Sequence, residues 1–193
     1  EKFLNINLQD FGLLDGEPIA QNLDDIISVS EEMQTLKERI AKVARTKSTV
    51  MIYGETGTGK ELVARAIHNG GSRKNKRYLS QNCVAIPENL LESILFGTTR
   101  GSFTGAENRP GLFEIASGGT LFLDEINSMD LAVQAKILKA IEEQKIRRIG
   151  GTEDIFIDVR IIAATNEDPL LCMQRGSLRE DLYYRLKVVQ LNI

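Results

Sequence analysis

The chain has little cysteine, no excess of positive charge and no long apolar run. The two cysteines, Cys83 and Cys172, form no metal-spaced motif and are too few for a disulfide framework, so reduced thiols are expected. A net charge of −3 excludes a global basic field that would advertise nucleic-acid binding. No apolar stretch is long enough to span a membrane and no signal peptide is visible, which makes the cytoplasm the expected location and a membrane partner unexpected. The one histidine, His68, falls beside Arg65 and Asn69 and reads as a surface or boundary residue. The basic cluster Arg73, Lys74, Lys76 and Arg77 lies among Gly70, Gly71, Ser72 and Asn75 and reads as a solvated loop. What remains is 193 residues, 42% hydrophobic and 26% charged, enough for one domain with a substantial core. The absence of an initiator Met and the abrupt end at Leu191-Asn192-Ile193 suggest a piece of a longer protein.

The run Val50-Met51-Ile52-Tyr53-Gly54-Glu55-Thr56-Gly57-Thr58-Gly59-Lys60-Glu61 carries the strongest chemical signal. A short apolar strand feeds a glycine-rich loop that ends in lysine and opens a helix, the context of a phosphate-binding P-loop. Gly54, Gly57 and Gly59 let backbone N–H groups turn inward onto phosphate oxygens. The following helix adds its positive dipole end, and Lys60 a point charge. Glu61 departs from the G-x-x-x-x-G-K-[ST] pattern, because it stands where a magnesium-binding hydroxyl is expected. Thr58, water or an acid elsewhere could compensate.

Along the chain, strands and helices alternate. Residues 1–25 carry acids without helical period, and Leu4, Ile6 and Leu8 alternate with polar residues, as in a linker or the tail of a preceding domain with one short strand. Met33, Leu36, Ile40 and Val43 predict a helix from about Ser30. Strands are expected at 49–53, 78–81, 120–123, 159–164 and 188–191, and helices at 61–69, 87–95, 131–143 and 181–186. Ile146–Ile149 and Ile155–Ile157 flank Gly150-Gly151 and suggest a hairpin. Such alternation argues for a parallel sheet with helices on both faces.

Ligands of open parallel sheets bind beyond the carboxyl ends of the strands. Four expected strands end there in Gly54, Asn82, Asp124-Glu125 and Thr165-Asn166. Any strand can end in a polar residue where it reaches water; four that converge on a P-loop mean more. Gly118-Gly119-Thr120-Leu121-Phe122-Leu123-Asp124-Glu125 has the form of a Walker B strand. Asp124 would hold Mg²⁺ and Glu125 would polarise an attacking water. Asn166 could contact the γ-phosphate, and Asn82 could hydrogen-bond Glu125. Arg179 and Arg185 are six residues apart, which on a helix puts them on different faces, so spacing alone reads as two salt-bridged surface arginines.

At these residues the chain resembles the central AAA+ ATPase domain of bacterial sigma-54-dependent activators, the enhancer-binding proteins. The resemblance covers roughly residues 26–193. It rests on GETGTGKE, Gln81-Asn82-Cys83, GGTLFLDEI, DVRIIAATN, REDLYYRL and, most specifically, Gly101-Ser102-Phe103-Thr104-Gly105-Ala106, which is similar to the family's GAFTGA loop. The resemblance implies an α/β fold: a three-layer αβα sandwich on a mainly parallel five-stranded sheet, with a helical loop insertion and a β-hairpin insertion. It implies ATP and Mg²⁺ as ligands, with Gly54, Glu55, Thr56, Gly57, Thr58, Gly59, Lys60, Glu61 and Asp124 at the nucleotide. Asn82 matches a switch for the catalytic Glu125, Thr165-Asn166 match sensor I, and Arg179 and Arg185 match arginines that reach a neighbouring subunit's ATP. Gly101, Phe103, Thr104 and Gly105 match the loop that touches sigma-54. Ser102 in place of Ala, Ile94 in place of Glu, Thr98-Thr99-Arg100 in place of a more charged run, and Leu178 in place of Phe depart from the family's wording without removing a catalytic group; Glu61 is usual for it. The implied partners are sigma-54 RNA polymerase holoenzyme, other copies in a hexameric ring, and promoter-upstream DNA through a domain outside these residues. The competing readings are a nucleotide kinase, which would need an acceptor pocket, and a nucleotide-dependent binding module with little turnover, against which Glu125 counts.

Overall fold

The computed structural model describes residues 31–84 and 86–193. The expected short strand at Leu4–Leu8, the 1–25 linker and the start of the domain at residue 26 lie outside them. In chain order the elements are α1 (Glu31–Ala44), β1 (Val50–Tyr53), α2 (Lys60–Asn69), β2 (Tyr78–Asn82), α3 (Glu88–Phe96), β3 (Gly97–Thr98), β4 (Arg109–Pro110) and α4 (Leu112–Ile115). There follow β5 (Thr120–Asp124), α5 (Leu131–Glu143), β6 (Lys145–Ile146), β7 (Ile155–Phe156), β8 (Arg160–Thr165), α6 (Pro169–Arg175), α7 (Glu180–Leu186) and β9 (Val189–Asn192).

Five strands form one sheet in the order β2-β5-β8-β1-β9, with every neighbouring pair parallel. Side-chain alternation divides the core between the two faces. Val50, Ile52, Phe122, Ile162, Ala164 and Leu191 pack with Leu36 and Ile40 of α1 and Val63 and Ile67 of α2. The residues between them, Met51, Leu121, Leu123, Ile161 and Ala163, pack with Leu91 and Leu95 of α3, Val133 and Ile137 of α5 and Leu182 of α7. Burial from both sides is why these strands read as unbroken apolar runs. The result is the expected αβα sandwich, and the helices at 61–69, 87–95 and 131–143 appear within a residue of their expected bounds. The hairpin is shorter than expected, Lys145 and Ile146 pairing with Phe156 and Ile155.

Two surface readings are corrected. His68 is only 3% exposed, and its Nδ1 lies 2.8 Å from Thr120 Oγ1. It shares the sheet-facing side of α2 with Ala64 and Ile67, four and one residues earlier. Burial, reinforced by the Arg160, Arg65 and Arg73 charges, holds its pKa below the ordinary histidine value. Arg73, read as part of a solvated loop, is instead an anchor. Its guanidinium donates to the carbonyls of Gly119 at 2.9 Å and Asp158 at 2.7 Å and to the Asp158 carboxylate at 2.6 Å. It ties the loop after α2 to the segments that enter β5 and β8.

Candidate nucleotide site and partner loop

The register puts the chemistry on one edge. Asn82 lies opposite Asp124, and Tyr53, the last residue before the P-loop, lies opposite Thr165. The loop from Gly54 to Gly59 leaves this edge from β1, between β8 and the outer strand β9. Gly54 is fixed by space: a Cβ there would come within 2.7 Å of the Ile193 backbone and 2.8 Å of Thr58 Oγ1. Gly59 is fixed by conformation, capping α2 at φ +88°. Lys60 is buried and donates from Nζ to the carbonyls of Gly54 and Glu55, both at 2.9 Å. A charge held inside the turn, at the positive end of α2, is placed for a polyphosphate. The Thr58 hydroxyl donates to Glu55 O at 2.8 Å and braces the same turn. Glu61 points outward and pairs with Arg65 one helical turn on, at 2.9 Å. Lys60→Ala should abolish nucleotide binding with the fold retained, read by titration with a fluorescent ATP analogue alongside circular dichroism; undiminished affinity in the folded variant would remove the phosphate-site assignment.

Asp124 ends β5 with one carboxylate oxygen, Oδ1, buried and without a hydrogen-bond partner among the described residues. Burial raises its pKa, opposed by the charge of Lys60. An orphaned carboxylate oxygen beside a phosphate-directed lysine suits a divalent cation. Among the described residues no group of three or more His, Cys, Asp or Glu side chains could hold an ion unaided. Glu125 follows in the left-handed region, φ 56° and ψ 53°, uncommon for a residue with a side chain. The conformation is enforced by a 3-10 turn over 126–128, in which Ser128 N–H donates to Glu125 O at 2.9 Å. Strain kept at one position by its surroundings is typical of functional sites. Asn82 is exposed at the end of β2, and its side-chain oxygen accepts from Val84 N–H at 2.8 Å. Only its NH₂ therefore has the polarity to face the Glu125 carboxylate.

Thr165 and Asn166 separate in role. Thr165 is fully buried, and its hydroxyl lies within hydrogen-bond distance of Asn127 Oδ1 (3.1 Å) and of the backbone of Glu167 (2.9 Å to O, 3.2 Å to N). Asn166 reaches outward, its Nδ2 3.5 Å from Thr56 Oγ1 of the P-loop. Asn127 joins the two, with Nδ2 3.3 Å from Asn166 Oδ1. Sequence reasoning missed Asn127; its position three residues after Asp124 was the available signal.

Arg179 is the N-cap of α7, and Arg185 is exposed in its last turn. The helix buries Leu182, Tyr183 and Leu186, which leaves Asp181, Tyr184 and Arg185 in solvent. The Arg179 guanidinium grips Asp181 through two bonds of 3.0 and 2.7 Å. The salt-bridged surface reading is thus met for Arg179 within this subunit, and no contact joins either arginine to the P-loop among the hydrogen bonds of the described residues.

The loop carrying Phe103 lies on the ribbon of β3 and β4 between α3 and α4. Phe103 is 47% exposed, Thr104 is exposed, and Gly101 and Gly105 both take φ +82° at the ends of the tip. Ala106, buried, donates from N–H to Phe103 O at 3.0 Å. The base is gripped by the hairpin: Thr99 N–H donates to Ile149 O at 3.0 Å, Ile149 N–H to Gly97 O at 2.9 Å, and Arg148 pairs with Glu114 through bonds of 2.7 and 2.8 Å. A Cβ on Gly150 would lie 2.4 Å from Ser102 Cβ. Loop and hairpin therefore pack too closely to move independently.

A parallel sheet in this order, a P-loop after β1 at its carboxyl edge and an acidic pair after β5, with β8 between the two strands, define a P-loop NTPase of the AAA+ class. The Sigma-54 interaction domain family matches residues 26–192, and the chain belongs to that family. It is 56% identical over 170 residues to the transcriptional activator RocR of Bacillus subtilis (strain 168), covering 88% of this chain and 37% of that protein. Over 169 residues it is 52% identical to the transcriptional regulatory protein GlrR of Escherichia coli (strain K12), covering 87% of this chain and 38% of that one. Among solved structures it resembles NtrX from Brucella abortus in complex with ADP, with a TM-score of 0.81 at 39% identity over 87% of this chain and 36% of that one. The chain thus spans little more than a third of the length of these relatives. Among the described residues no helix is long and apolar enough to cross a membrane.

Proposed function

We propose that this chain is the ATP-hydrolysing core of a sigma-54-dependent transcription activator, which remodels sigma-54 RNA polymerase holoenzyme from the closed to the open promoter complex. The observation that carries the reading is the convergence of the buried Lys60, the unpartnered Asp124 oxygen and the strained Glu125 on one sheet edge. ATP binds with its phosphates in the loop 54–60, against Lys60 and the first N–H groups of α2. Asp124 would hold Mg²⁺, which would supply positive charge to offset that of the phosphates. Glu125 accepts the proton of the attacking water, and Asn82 offers its amide to Glu125 to tie the base to nucleotide state. Asn166, placed by Asn127 and Thr165, reaches the γ-phosphate side of the P-loop. Arg179 and Arg185 act on the ATP of the next subunit in a ring, most simply a hexamer. Promoter-upstream DNA is bound by a part of the gene product outside these residues, in the cytoplasm.

Phe103 couples this cycle to sigma-54. An exposed aromatic between two glycines in the left-handed region suits capture of a partner, and such anchors commonly cost about 2 kcal/mol or more when lost, roughly 30-fold in affinity. Phe103→Ala should therefore abolish sigma-54 capture, measured with a transition-state mimic of ATP, while turnover stays within about threefold. Because the ring is half exposed, stability should move by no more than about 0.5 kcal/mol. A variant that melts early yet still binds sigma-54 would overturn the loop assignment and make Phe103 a packing residue.

A further inference from the structure

Gln134 lies on α5 between the core residues Val133 and Ile137 and has no exposed surface. Its amide is nonetheless satisfied. Nε2 lies 2.8 Å from Ser177 O, 3.0 Å from Met129 O and 3.4 Å from Ile126 O. Oε1 accepts from Arg179 N–H at 2.9 Å. The carbonyls can only accept and the peptide N–H can only donate, so the amide has one possible orientation.

These contacts fall on two segments far apart in sequence. Ile126 and Met129 bracket the 3-10 turn that holds Glu125 in its left-handed conformation. Ser177 and Arg179 bracket the buried Leu178 at the start of α7, where Arg179 is the cap. The Arg179 guanidinium itself is partly exposed to solvent and, among the described residues, hydrogen-bonds Asp181, two residues on, so its placement depends on its backbone. One buried side chain fixes that backbone to the turn that follows Glu125.

The inference rests on the reading above, in which Glu125 serves the subunit's own ATP and Arg179 the neighbour's. We propose that Gln134 is a positioning residue that sets Arg179 relative to Glu125 and thereby couples successive ATP sites around the ring. Gln134 touches no nucleotide; it acts through the Arg179 backbone. Methionine in its place would fill the space and hold neither segment. Glutamate would keep an acceptor for Arg179 N–H and lose the donors to the three carbonyls.

The test is a double-mutant cycle on the complete gene product: steady-state phosphate release and titration with a fluorescent ATP analogue for Gln134→Met, Gln134→Glu, Arg179→Ala and the Gln134→Met/Arg179→Ala pair. Small misplacements of a catalytic group can cost about 10²-fold, so Gln134→Met should lower kcat by about 10- to 100-fold with nucleotide Kd within about twofold. Added to Arg179→Ala it should lower kcat by less than about twofold more, because the group it positions is already gone. Gln134→Glu should fall at least as far as Gln134→Met, because its carboxylate would be buried against three carbonyl oxygens. An unchanged kcat in Gln134→Met, or effects that multiply in the pair, would overturn the proposal, as would loss of nucleotide affinity in step with a lower melting temperature. If Gln134→Met does not fold, Gln134→Leu, also neutral and without donors, decides in the same cycle. If Arg179→Ala alone leaves kcat unchanged, the arginine assignment fails and this proposal with it; a multiplicative cycle sinks this proposal only.

Discussion

Arg179→Ala should lower ATP turnover of the proposed ring by about 10³- to 10⁵-fold, the range of arginine fingers, and leave each subunit's own nucleotide affinity unchanged. The separation follows from position. Arg179 stands at the cap of α7 and bonds Asp181, not the P-loop of its own chain. Releasing Asp181 to reach a neighbour's phosphate costs little, because exposed ion pairs contribute about 0–1 kcal/mol. Mixing subunits makes the result decisive. A ring with Lys60→Ala subunits lacks nucleotide in those sites, and one with Arg179→Ala subunits lacks the stabilising charge at their neighbours. Mixed rings contain some intact composite sites and regain part of the activity. No recovery, with co-assembly verified, would place Arg179 in cis or outside the reaction.

Glu125→Gln should keep ATP binding and lower turnover by about 10²- to 10⁴-fold, the usual value of a general base. The amide can hydrogen-bond a water but cannot accept its proton. Backbone geometry should survive, since the φ of 56° is enforced by the turn through Ser128 and Met129, not by the carboxylate. The binding step depends on Lys60 and the P-loop, so the affinity for an ATP analogue stays within about twofold while phosphate release falls. A drop of less than tenfold would mean another base accepts the proton, and the strained backbone at Glu125 would need a different explanation.

Much of the site was legible because the signals were local. An apolar run that stops at Asp124-Glu125 must leave the core there, and a glycine-rich turn between strand and helix has few uses other than anion binding. The parallel order of the strands then brought Asn82, Asp124 and Thr165 to one edge without further information. What sequence did not give were contacts fixed by packing. His68 reads as polar, yet the period of α2 carries it inward onto Thr120. The basic cluster after α2 reads as solvated, yet Arg73 finds three acceptors at the sheet's other end. The four-residue α4 and the two-residue β3 and β4 are too short to show a period. Asn127 and Gln134 looked like ordinary turn and helix residues, because their roles depend on partners 38 to 45 positions away.

The central claim is that ATP hydrolysis at this sheet edge opens a sigma-54 promoter. Permanganate reactivity of promoter thymines in a preformed sigma-54 closed complex, followed after addition of the complete gene product, measures that directly. The account predicts strand opening with ATP and none with ADP, or with ATP and the Glu125→Gln protein. Opening by Glu125→Gln at the wild-type rate, or none with ATP despite verified hydrolysis, would contradict it.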